Sequence, residues 1–106
     1  MQWHVEITAE AEAELDALPA DMRARFLRIA ALLEALGPYN VREPHVKHLE
    51  DKLWEMRMTG RDAIARAIYF TAQGRRLIVV HAFVKKTQKT PQRDIEIARR
   101  RMRAWQ

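Results

Sequence analysis

Apolar residues in the first third of the chain recur at the spacing of amphipathic helices. Residues 3–7 alternate bulky and polar side chains and predict a short strand ahead of those helices. Thr8 can cap a first helix that Pro19 ends. A second helix is predicted from Asp21 onward, because its apolar residues repeat at spacings of four, three, four and three. That stripe consists of Met22, Phe26, Ile29, Leu33 and Leu36.

The middle of the chain has the two-residue period of β-strands. Leu53–Thr59 alternates so that Glu55 and Arg57 share one side, opposite the larger apolar residues. Residues 63–71 form another strand, in which Arg66 shares a side with isoleucines and a phenylalanine. A charged residue with apolar neighbours in a strand is costly unless it is paired or emerges into a groove. Each arginine is therefore either a member of an ion pair, with Glu55 the nearest partner of Arg57, or a cation that emerges on the uncovered face of the sheet.

Residues 77–91, LIVVHAFVKKTQKTP, run from an apolar strand through a basic loop into the last helix. The β-branched half predicts a strand buried on both faces, and we expect His81 within it to be a core histidine with its hydrogen bonds satisfied. Thr90-Pro91 predicts a helix start, with the threonine hydroxyl capping free N–H groups. The lysines of the loop form either a solvated basic segment or a site for a polyanion. These lysines are Lys85, Lys86 and Lys89.

The predicted order of elements is β-α-α-β-β-β-α over residues 1–106, which are long enough for a single domain. Residues 46–49 are a candidate for one further short strand. Because short turns join the later strands, we expect an antiparallel meander. The fold class is therefore α+β, with a twisted antiparallel sheet, an N-terminal helical hairpin packed on one side and a C-terminal helix.

Charge is distributed unevenly along the chain. Residues 1–55 contain 6 Lys or Arg and 11 Asp or Glu, whereas residues 56–106 contain 13 and 3. This uneven charge produces an electric field that attracts a polyanion to one side of a small domain. Nucleic acid or an acidic protein is therefore favoured as the ligand over a neutral metabolite. The absence of cysteine excludes a disulfide scaffold and thiolate chemistry. No signal peptide or membrane span is evident, so we expect a cytoplasmic protein with no membrane partner.

Conventional catalytic motifs are missing from the sequence. The four histidines are scattered, and no Gly-rich phosphate loop or nucleophile elbow occurs. We therefore expect no metal site and no cofactor. A cluster of Arg and Lys can nevertheless cleave RNA, because RNA supplies its own 2′-hydroxyl nucleophile and the protein has to align it and neutralise the phosphorane. An enzyme with so sparse a site needs outside help to position its substrate.

Three segments resemble the RelE/HigB-type toxins of bacterial toxin–antitoxin systems, in the phage-derived, HigB-like branch of the RelE/ParE superfamily. They are LWEMR at 53–57, ARAIYF at 65–70 and HAFVKKTQKTP at 81–91, of which the last is the most specific. The resemblance covers most of the chain and implies the microbial-RNase-like α+β fold of that family. It also implies ribosome-dependent cleavage of mRNA in the A site, inhibition of translation, and neutralisation by a small antitoxin encoded beside the toxin.

The resemblance also implies site residues, position by position. Basic residues of the family lie on its central strands and just after its last strand. The matching catalytic candidates are Arg57, Arg66, Lys85 and Lys86. The RNA-binding candidates are Lys47, Arg61 and Lys89. Family members place a tyrosine, histidine or aspartate near the C-terminus for proton transfer, whereas this chain has no tyrosine after Tyr69 and no histidine after His81. The general acid and base are therefore unassigned, with Lys47 and His48 as candidates.

The sequence is compatible with three hypotheses about function. The leading one is a ribosome-dependent mRNA endonuclease, the toxin of a type II system. Its partners would be the ribosome, mRNA and a helix-turn-helix, HigA-like antitoxin, and operator DNA would be bound only through the toxin–antitoxin complex. The second reading is a ParE-like inhibitor of DNA gyrase without nuclease activity. The third is a non-toxic binding domain.

Overall fold

The structure, a computed structural model, describes residues 2–85 and 89–105. Those residues form five strands and three helices, in the order β-α-α-β-β-β-β-α. They are β1 (His4–Ile7), α1 (Ala9–Asp16), α2 (Ala20–Leu36), β2 (Val46–Glu50), β3 (Leu53–Thr59), β4 (Ile64–Ala72), β5 (Arg76–Lys85) and α3 (Gln92–Ala104). The α+β prediction is confirmed, and the candidate strand at residues 46–49 is β2.

The two N-terminal helices begin and pack much as the sequence predicts. The hydroxyl of Thr8 accepts a hydrogen bond from the N–H of Ala11 at 3.2 Å and caps α1. Four residues of the predicted α2 stripe are buried, but Leu36 is 52% exposed. Leu36 is the last residue of α2, and Gly37 follows with φ 86°, a conformation that ends the helix.

The strands form one sheet in the order β1-β5-β4-β3-β2. Neighbouring strands from β2 to β5 are antiparallel, which confirms the predicted meander. Strand β1 pairs with β5 in parallel, so the sheet is mixed and not wholly antiparallel. The parallel pairing is possible because the α1–α2 hairpin and the meander lie between β1 and β5 and carry the chain back to the edge of the sheet.

Both faces of the sheet are covered by helices. One face packs on α1 and α2 through residues that include Met56, Ala67 and Val79. The other packs on α3, where Ile68 and Val80 meet Ile95. Helix α3 therefore lies on the face opposite the N-terminal hairpin, because this second face is itself apolar and needs a cover.

Helix α3 covers one end of its face, where a cluster of apolar residues is buried. Towards the opposite end, β3 continues with Glu55 and Arg57 on that same face. An opening is left there between β2, β3 and the start of α3.

Candidate nucleic-acid interface

A groove of about 930 Å³ lies between β2, β3 and the start of α3. We call it the basic groove. Its lining consists of Lys47, His48, Leu49, Glu50, Glu55, Arg57, Lys89, Thr90, Pro91, Gln92 and Ile95. Both carboxylates in this lining are bonded to arginines, Glu50 to Arg99 and Glu55 to Arg57. The lining holds three cations, Lys47, Arg57 and Lys89, against these two carboxylates, so the groove carries a net positive charge.

Glu55 forms the floor of the basic groove, and its side chain is fully buried. Its Oε2 accepts a hydrogen bond from Nε of Arg57 at 2.9 Å. Its Oε1 accepts one from the hydroxyl of Thr90 and lies 3.8 Å from Nε of Arg66. Each carboxylate oxygen thus has a donor, as burial of a charge requires. The ion pair of Arg57 with Glu55, one of the two alternatives from the sequence, is present.

The hydroxyl of Thr90 does not cap α3, contrary to the prediction. Pro91 occupies the N-cap position, and none of the described side chains caps the helix. The hydroxyl instead donates to Glu55, because a hydrogen bond to a buried carboxylate is roughly twice as strong as one between neutral groups. This bond joins β3 to the start of α3, which are two walls of the basic groove.

Arg57 and Arg66 lie directly opposite each other in the register of β3 and β4. The side chain of Arg57 is 19% exposed at the groove, whereas that of Arg66 is 0% exposed. Burial lowers the pKa of Arg66, and the charge of Glu55 acts in the opposite direction. Arg66 thus faces the predicted side of the sheet without emerging from it, because β4 lies between two other strands that enclose its side chains.

The other predicted cations divide into two groups. Lys47 and Lys89 are exposed and line the basic groove together with Arg57. Lys85 is exposed at the end of β5, and Arg61 is exposed in the turn between β3 and β4; neither lines the groove. Lys86 lies outside the described residues.

His48, a candidate for proton transfer, lies on the edge strand at the rim of the basic groove. Its Nε2 is 2.8 Å from the carbonyl oxygen of Asp51. Its ring also packs against Trp54, with 4.9 Å between the ring centroids. Trp54 lies on the opposite side of β3 from Arg57, so His48 is turned away from the centre of the groove.

His81 has partners on both of its ring nitrogens, as predicted for a core histidine. Nε2 lies 2.8 Å from Oδ1 of Asp94 in α3, and Nδ1 lies 3.1 Å from the carboxylate of Glu14 in α1. Glu14 also accepts hydrogen bonds from the N–H of Ala82 at 3.0 Å and from Arg101 at 2.9 Å. The group ties α1, β5 and α3 together, so its role is structural.

Tyr69 points away from the basic groove, into the core between the sheet and the N-terminal helices. Burial raises the pKa of its hydroxyl above the usual range. Within the described residues, that hydroxyl has no hydrogen-bond partner. Tyr69 is therefore a core residue.

Sequence reasoning missed the central position of Glu55. The signal was present, since Glu55 and Arg57 are two residues apart in a strand and must share a face. The contact with Thr90 had no such signal, because it joins residues that are distant along the chain.

Comparison with known proteins supplies the family. The sequence profile of phage-derived Gp49-like proteins matches residues 13–103. The chain belongs to the Gp49-like family. Gp49-like proteins are a RelE/HigB-type toxin family, which confirms the resemblance found in the three sequence segments.

Solved structures show the same architecture for this Gp49-like protein. The archaeal RelE–RelB complex from Pyrococcus horikoshii OT3 contains a chain that matches with a TM-score of 0.61 and 23% identity. The match covers 84% of the Gp49-like chain and 100% of the archaeal chain, and it shows a RelE-like fold. A search of curated proteins found no match.

Two further observations concern the described part of the Gp49-like chain. None of its helices combines the length and the apolar character needed to cross a bilayer. Its His, Asp and Glu side chains do not gather in groups of three or more that could hold a metal ion.

Proposed function

We propose that this Gp49-like protein is a toxin that cleaves translated mRNA on the ribosome. The observation that carries the proposal is the position of Arg57, which lies in the basic groove with Lys47 and Lys89 and is tethered through Nε to a buried carboxylate. A guanidinium held in this way keeps its two terminal nitrogens for a phosphate, whose oxygens it can contact bidentately.

In the proposed reaction, the 2′-hydroxyl oxygen of one nucleotide attacks the adjacent phosphorus in line with the bond to the 5′ oxygen. That bond breaks, the 2′-hydroxyl loses its proton and the departing 5′ oxygen takes one up, which leaves a 2′,3′-cyclic phosphate and a 5′-hydroxyl. Arg57 would neutralise the charge that develops on the phosphorane, and the buried Arg66 would add to the positive field from beneath. Lys85 and Lys86 complete the proposed catalytic set. Lys47, Arg61 and Lys89 would hold the RNA backbone.

The ribosome supplies what the basic groove lacks. An open groove can attract a single strand by charge, but it does not by itself set the angle between the 2′-hydroxyl and the scissile bond. Correct alignment is worth several kcal/mol of the barrier, so an enzyme that relies on a larger complex for alignment is slow without it.

The proposed partner is a small antitoxin, of the helix-turn-helix, HigA-like type. The structural match to a RelE–RelB complex supports a protein partner. The charge distribution suggests where it would act, because covering the basic half of the chain would exclude RNA directly. Operator DNA would be bound through the toxin–antitoxin complex. Co-expression of the adjacent gene product should restore growth, and continued arrest would refute this partner.

Primer extension in induced cells tests the activity. One reporter message carries a start codon, and a second is identical except that the start codon is removed. We expect breaks within the coding region of the translated message only. Arg57→Ala should reduce the breaks by about 100-fold, the usual effect of losing one donor to the transition state. Arg25→Ala, an exposed arginine on α2, serves as the matched control and should cleave like the wild type.

Other outcomes would refute the proposal. A DNA damage response with intact mRNA would identify a gyrase inhibitor, and unimpaired growth would identify a non-toxic domain. Equal cleavage by wild type and Arg57→Ala would show that the basic groove is not the site.

A further inference from the structure

Within residues 2–85 and 89–105, the side chain of Arg57 is held at its Nε, and its terminal nitrogens make no hydrogen bond. Nε donates to Oε2 of Glu55 at 2.9 Å, while the guanidinium reaches the lining of the basic groove. We infer that Glu55 is a positioning residue, which sets the orientation of Arg57 before RNA arrives. The inference rests on the proposed function, since it concerns the phosphate that Arg57 would contact.

Glu55 is a rigid anchor. It lies in the middle of β3, and its side chain has no exposed surface. Its second oxygen is held by the hydroxyl of Thr90. With a donor on each oxygen, the carboxylate is placed to orient its neighbours and not to accept a proton from substrate.

Arg57 needs such an anchor because Arg66 lies directly across from it in the sheet. Like charges on opposite residues of adjacent strands repel. Without Glu55, the partly exposed Arg57 would turn towards water, since Arg66 is enclosed and has nowhere to move. Glu55 offsets the repulsion and keeps the flexible arginine in one orientation. Because the side chain is already ordered, phosphate binding has a smaller entropic cost.

The same carboxylate fixes a second wall of the basic groove. Thr90 directly follows Lys89 and precedes α3, and its hydroxyl is bonded to Glu55. The position of Lys89 relative to Arg57 therefore depends on the buried carboxylate of Glu55, which contacts β3, β4 and the start of α3.

A double-mutant cycle tests this role. Wild type, Glu55→Gln, Arg57→Ala and the double variant are assayed on programmed ribosomes, below the unfolding temperature of all four. Glutamine keeps the size of glutamate and removes its charge. We expect Glu55→Gln to lower kcat by about 100-fold, as misplacement of a catalytic group by about 1 Å does, with KM little changed. Because Glu55 would act through Arg57, the double variant should be no slower than Arg57→Ala.

Two results of that cycle would overturn the inference. One is a Glu55→Gln variant that retains wild-type kcat while Arg57→Ala is impaired. The other is a double variant whose loss is the product of the two single losses, which would mean that Glu55 acts independently of Arg57. A general loss of stability predicts the second result, so the cycle separates positioning from folding.

A measurement without RNA keeps the inference independent of the activity. In the free protein, the Nε–H of Arg57 should give a side-chain NMR signal shifted by its bond to Glu55 and slow to exchange with water. Glu55→Gln should reduce that protection, because a neutral amide oxygen accepts a weaker hydrogen bond than a carboxylate does. The signal of Arg76, whose Nε donates to the carbonyl oxygen of Gln73 at 2.8 Å, serves as the internal reference. If wild type cleaves no RNA but the protection behaves as expected, the proposed function fails and the positioning contact stands; an unprotected Arg57 signal in wild type would overturn the inference itself.

Discussion

Replacing Glu14 by alanine should destabilise the fold more than any other change of an acidic residue in α1. The carboxylate accepts hydrogen bonds from Arg101 and from the buried N–H of Ala82, and it lies 3.1 Å from His81. Hydrogen bonds to a charged group contribute about 1.5–3 kcal/mol each, although contributions within one network do not add. Since Arg101 also donates to the carbonyl of Val80 and would keep that partner, we expect the free energy of unfolding to fall by about 3 kcal/mol.

Thermal and urea unfolding monitored by circular dichroism measure this loss. For a domain of this size, 3 kcal/mol corresponds to a decrease in Tm of about 15 °C. Asp16→Ala is the control, because Asp16 is an exposed carboxylate at the end of the same helix; its free energy of unfolding should change by no more than about 0.5 kcal/mol. A loss below about 1 kcal/mol in Glu14→Ala would show that water replaces the network and would refute the reasoning.

The pH dependence of the free energy of unfolding is a second test of the contribution of Glu14. Burial alone would raise the pKa of Glu14, but the hydrogen bonds from Arg101 and Ala82 and the charge of His81 outweigh it and lower the pKa below 4.5. A carboxyl whose pKa is lower in the folded state contributes stability above its unfolded pKa, and this contribution is lost as the pH falls through the folded value. The difference in stability between wild type and Glu14→Ala should therefore be constant near neutral pH and shrink below pH 4.5.

Three other substitutions have defined expectations. Tyr69→Phe removes a buried hydroxyl that lacks a partner among the described residues, so the free energy of unfolding should rise by about 1 kcal/mol in urea titrations, and a fall would show that the hydroxyl is satisfied. Thr8→Ala removes the cap of α1 and should cost about 1 kcal/mol, whereas Thr8→Asn should retain most of the stability; equal losses would exclude the cap as the cause. Gly37→Ala should lower Tm by several degrees, because φ is 86° and the new methyl group would lie 3.2 Å from the ring of Trp3; an unchanged Tm would mean that this turn relaxes freely.

The period at which apolar residues recur was sufficient to predict most helices and strands of this fold. The spacing of Met22, Phe26, Ile29 and Leu33 determines which face of α2 is buried, and alternation determines which side of β3 carries Glu55 and Arg57. These are local properties, and they do not depend on which elements meet. The parallel pairing of β1 and the position of α3 are non-local, and neither follows from the pattern of the segment concerned.

The same contrast between local and non-local properties holds for the candidate site. Sequence reasoning selected Lys47, Arg57 and Lys89, which do meet in the basic groove. It could not predict that Arg66 is enclosed, since enclosure depends on the strands to either side. It also misassigned the hydroxyl of Thr90. Locally, the Thr90 hydroxyl could have accepted a hydrogen bond from an N–H of the first helical turn. The tertiary structure instead brings it close to a stronger partner, the carboxylate of Glu55.

The parallel pairing of β1 with β5 has a consequence for the order of folding. The register pairs His4 with Arg76, so the first strand must wait for a partner from the last third of the chain. Contacts between residues so far apart close large loops and slow the search for the native state. Lys89 and Thr90 come later still, and they complete a wall of the basic groove. During synthesis, then, the sheet closes late and the basic groove later, which leaves the nascent chain without a complete groove until Thr90 and the start of α3 have been made.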